Sequence, residues 1–170
     1  MVNFMLRTIN LKMISLISVC SLFLVGCSFF SSNQKEAQLI IINVLDKNEF
    51  DDCHIKGSIH IPFGEFENKV ASFNKNNHYV LYCADYACMS SGYCAKLLRD
   101  AKFENIWEYS GGMVDWYQKG YPIEGPAQED YLKEENVNLN DEQDNEDVVF
   151  TITAEDLLIK IKDFQIKNEK

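Results

Sequence analysis

From Leu39 to Val44 the chain runs Leu-Ile-Ile-Ile-Asn-Val, and from Tyr79 to Tyr82 it runs Tyr-Val-Leu-Tyr. These short, almost unbroken apolar runs suit parallel strands buried on both faces, not strands with one wet face. Between them Phe66, Val70 and Phe73 fall at helical spacing, and the segment from Ser91 to Ala101 sets Cys94, Leu97, Leu98 and Ala101 on one helical face. Asn105 to Tyr109 predicts another short strand, followed by Gly111-Gly112, a helix from Met113 to Lys119, and Gly120 placed to end it. Strand alternating with helix predicts an α/β domain over residues 39–126, a central parallel sheet with helices on both faces.

Both ends depart from this pattern. Residues 127–147 carry nine acidic residues, one lysine and few apolar ones, a composition that predicts a linker. Residues 148–170 become foldable again: Val148 to Ile152 reads as a strand, and Thr153-Ala154-Glu155-Asp156 offers a cap and an acidic first turn before Leu157, Leu158 and Ile161. At the other end, residues 1–12 hold Arg7 and Lys12 with no acid, and Met13 to Val25 is almost wholly apolar or small before Gly26-Cys27. That stretch is too short to span a bilayer and suits the apolar region of an export signal. Leu24-Val25-Gly26-Cys27 resembles the lipobox of bacterial lipoproteins. This implies a signal peptide over 1–26, a diacylated Cys27, a tether over 27–38, and a cell-envelope location with the lipid supplying the membrane contact. An ordinary secretory signal or a short uncleaved anchor is the alternative.

The formal charge of -10 and the pI near 4.7 set the chain against polyphosphate partners, so binding to nucleic acid by charge neutralisation is not expected. Of six cysteines, Cys20 leaves with the signal and Cys27 is consumed by lipid, leaving Cys53, Cys83, Cys88 and Cys94 in a disulfide-permissive compartment.

The segment that carries chemistry is Cys83-Ala84-Asp85-Tyr86-Ala87-Cys88-Met89-Ser90-Ser91, between a buried strand and a helix. A cysteine at the carboxyl end of a parallel strand stands where α/β folds place their ligands. If the loop wraps around the Cys83 sulfur, its N–H groups and the helix dipole favour thiolate and create a nucleophile. Asp85, unbalanced by any basic loop residue, is expected to oppose that thiolate. A phosphatase would need an arginine here, and the loop has none.

Three stretches together resemble the rhodanese family of sulfurtransferases. The first is Ile42-Asn43-Val44-Leu45, Glu49-Phe50 and His54-Ile55-Lys56-Gly57-Ser58-Ile59-His60-Ile61-Pro62, similar to the family's D-V-R, E-Y/F and G-H-I-x-G-A-x-x-I-P elements. The second is Tyr82-Cys83 with the loop leading to Ser91, Ala95 and Leu98; the third is Gly111 to Trp116 with Gly120-Tyr121-Pro122. The resemblance implies that Cys83 accepts a sulfane sulfur as a persulfide and passes it to a low-molecular-weight or protein thiol, with the loop amides holding the anionic sulfur and no cofactor required. The C-terminal strand and helix also resemble those that normally open the domain and are expected to dock in their place, completing it in permuted order; the start of a second domain or a free amphipathic helix for a partner is the alternative. A flexible 21-residue linker reaches about 25 Å, enough to carry the chain back. Asn43 and Leu45 stand where the family has Asp and Arg, Cys53 where it has Gly, and the loop is about two residues longer than the common form. Thiosulfate, a dianion, is therefore expected to be a poor donor.

Cys88, in a C-x4-C arrangement with Cys83, stands open as a resolving thiol, a structural disulfide partner or a bystander. No second ligand pair follows, so zinc is not expected. Cys94 reads as core filling and Cys53 as inert. His54, His60 and His78 read as structural, and Trp107, Trp116, Tyr109, Tyr117 and Tyr121 as core and rim. Two other functions fit the same residues: a thiol-disulfide oxidoreductase using Cys83 and Cys88, and a lipid-anchored binding module without catalysis whose protein partner the sequence leaves unnamed.

Overall fold

The computed structural model describes residues 36–137 and 150–168. The signal peptide, Cys27 and most of the tether lie outside the described residues, as do 138–149. No helix among the described residues is long and apolar enough to cross a membrane.

The elements follow in the order β1 (Leu39–Asn43), α1 (Lys47–Asp52), β2 (His54–Ile55), β3 (Ile59–His60), α2 (Phe63–Lys69), β4 (His78–Tyr82), α3 (Ser90–Asp100), β5 (Ile106–Tyr109), α4 (Gly112–Gln118), β6 (Ile123–Glu124) and α5 (Ala154–Asn168). Four strands form a parallel sheet in the order β3-β1-β4-β5. β1 and β4 lie at its centre, with Ile41 against Val80 and Ile42 against Leu81. This is why they read as unbroken apolar runs: Ile42 and Leu81 enter the core beneath α2 and α3, and Ile41 and Val80 enter the core beneath α4 and α5. β2 and β6 form a separate antiparallel pair. The helix expected through Phe73 stops earlier, α2 passing at Val70–Ser72 into a single 3-10 turn, which still leaves Phe73 packed on the core.

The segment expected to be a linker is folded through residue 137. The Asp52 carboxylate accepts the N–H groups of Gln128 and Glu129 at 2.9 and 3.1 Å, and the Asp52 carbonyl accepts that of Ala127. A 3-10 turn, Asp130–Lys133, then buries Leu132 completely beside Trp116 and Met113. Average composition hid this: one buried leucine and one capping aspartate suffice to hold a short acidic turn.

The C-terminal segment lies on the same face. Thr151 makes a parallel bridge to Glu108, with the Glu108 N–H donating to Phe150 O and the Ile152 N–H to Glu108 O, each 2.9 Å. The expected strand is thus one bridge long among the described residues, at the free edge of β5. Thr153 caps α5, its hydroxyl accepting the Asp156 N–H at 3.1 Å. Leu157 and Ala154 are fully buried, while Leu158 and Ile161 are half-buried. The C-terminal segment thus packs on the domain, an α/β fold with helices on both faces of a parallel sheet.

Candidate active site

β4 ends at Tyr82, a buried tyrosine whose hydroxyl accepts the Ile55 N–H and bonds to Ser58. Its completed pairing on both sides sets Cys83 at the carboxyl edge of the central strand. The loop from Ala84 to Met89 is clamped from below by the start of α4: the Met113 N–H donates to Cys83 O and the Val114 N–H to Ala84 O, both 2.9 Å. Gly112 makes that approach feasible. It has φ +63°, and a Cβ there would sit 2.5 Å from the Ala84 carbonyl. The Gly-Gly pair, legible in the sequence only as a helix start, is therefore part of the loop's support.

Of the N–H groups expected around the Cys83 sulfur, that of Ser91 favours its thiolate, while those of Tyr86, Ala87 and Cys88 are turned elsewhere. The Asp85 carboxylate turns back and accepts the N–H groups of Ala87 (2.9 Å) and Cys88 (3.0 Å). The Tyr86 N–H donates to Asn136 Oδ1 at 3.2 Å, and Asn136 in turn donates to Gly111 O. Asp85 thus occupies donors that an incoming anion would need. Asn136 had no sequence signal, because it lies in the stretch read as linker.

Cys83 is fully buried; Cys88 is partly exposed, and Met89 beside it is 84% exposed. The Cys83 thiol lies 3.0 Å from Cys88 O and 3.3 Å from Ser91 Oγ, and the Ser91 hydroxyl donates to Glu108 Oε1 at 2.9 Å. The two cysteines also shift one another. Cys83 is pushed above the ordinary thiol range, first by the neighbouring Cys88 and then by burial, against the Ser91 hydroxyl and N–H, which favour its thiolate. Cys88 is lowered to about 6, first by the neighbouring Cys83, against burial, with help from the Ser90 and Ala84 N–H groups and the Ser90 hydroxyl. The charge expected to oppose Cys83 was that of Asp85; the Asp85 carboxylate is instead turned to its own loop amides, and the opposing charge is that of Cys88. Glu108, also unforeseen, is raised chiefly by burial, and its carboxylate lies against Gly92.

The other cysteines stay apart. Burial pushes Cys53 up to about 11 and Cys94 up to about 12. All four described cysteines are free thiols. His54 bonds to Phe50 O and Glu124, His60 to Leu45 O, and His78 stacks on Trp107. Among the described residues no cluster of side chains has the makeup to hold a metal.

The family model for the rhodanese-like domain matches residues 29–119, more than half of the chain. The chain belongs to the rhodanese-like domain family. This rhodanese-like domain is 27% identical over 92 residues to the "Putative sulfur carrier protein YrkF" of Bacillus subtilis, covering 54% of this chain and 49% of that protein. It is 26% identical over 94 residues to the "HTH-type transcriptional regulator Rv0324" of Mycobacterium tuberculosis, covering 55% and 41%. The chain thus spans half or less of the length of these two curated relatives. Among solved structures, the Rhodanese_3-like domain of the Alr3790 protein from Anabaena is 29% identical, with a TM-score of 0.46, over 51% of this chain and 98% of that one. Membership supports sulfurtransferase-type function at the level of the family.

Proposed function

We propose that this domain moves sulfane sulfur between thiols through the Cys83–Cys88 pair, held at the cell envelope by a lipid on Cys27. The observation that carries the reading is the placement of two free thiols in one loop at the carboxyl end of the central strand, the Cys83 thiol donating to Cys88 O at 3.0 Å and lying 3.3 Å from Ser91 Oγ, with Cys88 partly open to solvent. A thiolate is the form that attacks a sulfane sulfur. The family match and the likeness to a protein named as a sulfur carrier support the same chemistry.

The donor that fits is a low-molecular-weight persulfide. Thiosulfate carries two charges and would have to displace the Asp85 carboxylate from the loop amides, with no loop cation to hold it. The reaction then balances without an oxidant: a protein thiolate attacks the outer sulfur of R–S–SH, the S–S bond breaks, R–S⁻ leaves, and the protein holds S–SH. An acceptor thiolate reverses the step. The test offers persulfide and thiosulfate side by side to the wild type and to the Cys83→Ser, Cys88→Ser double variant. Sulfur transfer from persulfide that is lost in the double variant is expected; equal turnover of thiosulfate would refute the reading of Asp85, and transfer undiminished in the double variant would refute the function.

A thiol-disulfide oxidoreductase is the second reading, favoured by the two free thiols in one loop, the Cys83 thiol donating to the Cys88 carbonyl at 3.0 Å. It predicts a protein that cycles a Cys83–Cys88 disulfide with a reducing dithiol and never carries an extra sulfur.

A further inference from the structure

Cys83 has no exposed surface, so a proton that leaves its sulfur must first pass to a group of the protein. Of the oxygen atoms bonded to that sulfur, Cys88 O at 3.0 Å only accepts a hydrogen bond, whereas Ser91 Oγ at 3.3 Å takes a proton on one side and gives one on the other. Ser91 is itself fully buried at the start of α3, and its hydroxyl donates to Glu108 Oε1 at 2.9 Å. Thiol, hydroxyl and carboxylate thus form one hydrogen-bonded chain from the end of β4 through α3 to β5.

Glu108 is held for this contact from two sides. The C-terminal segment pins its backbone, the Glu108 N–H donating to Phe150 O and the Ile152 N–H to Glu108 O. Its carboxylate lies against Gly92 in the first turn of α3, where a Cβ would stand 3.1 Å from each carboxylate oxygen. Burial raises this carboxyl above its ordinary range, against the Ser91 hydrogen bond, so it holds a proton closer to neutral pH than an exposed glutamate does.

We propose that Glu108, acting through the Ser91 hydroxyl, is a positioning residue that takes the Cys83 proton and so makes Cys83 the attacking thiolate. The inference rests on the sulfurtransferase reading above. In the step, the Cys83 S–H bond breaks and its proton passes to Ser91 Oγ, while the Ser91 proton passes to Glu108 Oε1. One negative charge moves from carboxylate to sulfur, and the net charge is unchanged. The Ser91 hydroxyl then donates to the thiolate and accepts from the Glu108 carboxyl. The thiolate attacks the outer sulfur of R–S–SH, the donor S–S bond breaks, and R–S⁻ departs. When an acceptor thiolate removes the sulfur, Cys83 is set free as thiolate and regains its proton along the same path. Cys88 faces both sulfur and carboxylate from the loop, and on the side of the C-terminal segment Arg99 of α3 lies over the Phe150 ring at 5.4 Å.

A shared proton has a signature in pH. While Cys83 and Glu108 hold one proton between them, the fraction with that proton on Glu108 does not depend on pH, and the reactivity of Cys83 stays level. Without the carboxyl, the thiolate forms only by loss of a proton to solvent, rising about tenfold per pH unit below the pKa of the thiol.

The experiment uses the full chain, reduced and treated with iodoacetamide in pH steps across the neutral range. The chain is then cut before Asp85, which separates Cys83 from Cys88, and each peptide is followed by mass. The wild-type Cys83 rate is expected to hold level from about pH 6 to 8. In Glu108→Gln, which keeps the accepting oxygen but cannot hold the proton, and in Ser91→Ala, the rate is expected to climb about tenfold per pH unit instead. A wild-type rate that climbs, or a level rate kept in either variant, would overturn the relay, since a merely structural Glu108 changes the size of the rate and not the shape of its profile. Should a variant fail to fold, the wild-type profile alone decides. Loading with glutathione persulfide over the same pH steps separates the relay from the reading on which it rests: a level Cys83 profile with no extra sulfur on either peptide would refute the sulfurtransferase reading and leave the relay in place.

Discussion

The two faces of the sheet are closed by different kinds of chain. Beneath α2 and α3, the core is filled by residues that follow closely on the strands they cover: Phe66, Cys94, Ala95, Leu98 and Phe103 against Ile42, Leu81 and Cys83. Beneath α4 and α5, Met113 and Trp116 meet Leu132 and Leu157, brought from the far end of the chain, against Ile41, Val80 and Tyr82. The loop from Cys83 to Met89 joins the two, since α3 begins where it ends and the first turn of α4 clamps its backbone. A face built from neighbouring sequence is set by local pattern. A face built from distant pieces depends on a closure that any one of those pieces can undo.

The largest effect is expected from removing residues 150–170. This deletes the bridge to Glu108 and the burial of Leu157 and Ala154, and denaturant unfolding should show a loss above the ~3 kcal/mol that burial of one leucine supplies. An unchanged midpoint would mean that the second face closes without its distant piece. Next come Leu98→Ala and Leu157→Ala, matched substitutions of fully buried leucines on opposite faces. Each is expected to cost about 2–5 kcal/mol, but only Leu98→Ala, in the helix that starts at the loop, should also slow alkylation of Cys88. Equal effects on alkylation would show that the faces are coupled more tightly than the contacts imply.

Gly112→Ala comes third: a left-handed residue pressed onto the Ala84 carbonyl costs about 1–3 kcal/mol, and because it shifts the loop it should alter Cys88 reactivity by more than its stability loss suggests. Asp85→Ala is expected to cost only about 1 kcal/mol, while freeing the Ala87 and Cys88 N–H groups and raising thiosulfate turnover. The smallest effect is on the thiols enclosed by each face. Cys53 and Cys94, at about 11 and 12, ionise only as pH rises through those values, so at pH 8 both should resist iodoacetamide in the folded protein and react once it is unfolded. Rapid labelling of either one would show that its face opens.

Several elements were legible because their signal is local. The continuous apolar runs of β1 and β4, the amphipathic spacing of α3 and the Gly-Gly start of α4 each require only adjacent residues to agree. Leu132, Asn136 and Glu108 were not legible. Each acquires its role from a partner far away in sequence: Leu132 from Trp116 and Met113, Asn136 from Tyr86 and Gly111, and Glu108 from Ser91.

The amino-acid sequence by itself determined that the chain is an α/β domain of the rhodanese-like family and that Cys83 and Cys88 share one loop between a buried strand and a helix. Strand and helix periods and the order of motifs are properties of neighbouring residues, so they survive without the fold. What only the tertiary structure decided is how the loop's donors are shared. The number of N–H groups is given by the sequence, but which atom each one meets depends on where α4, Asp85 and Asn136 are brought. A thiol's proton goes to the sulfur whose surroundings hold charge least well, and that balance of burial against donors exists only once the chain has closed.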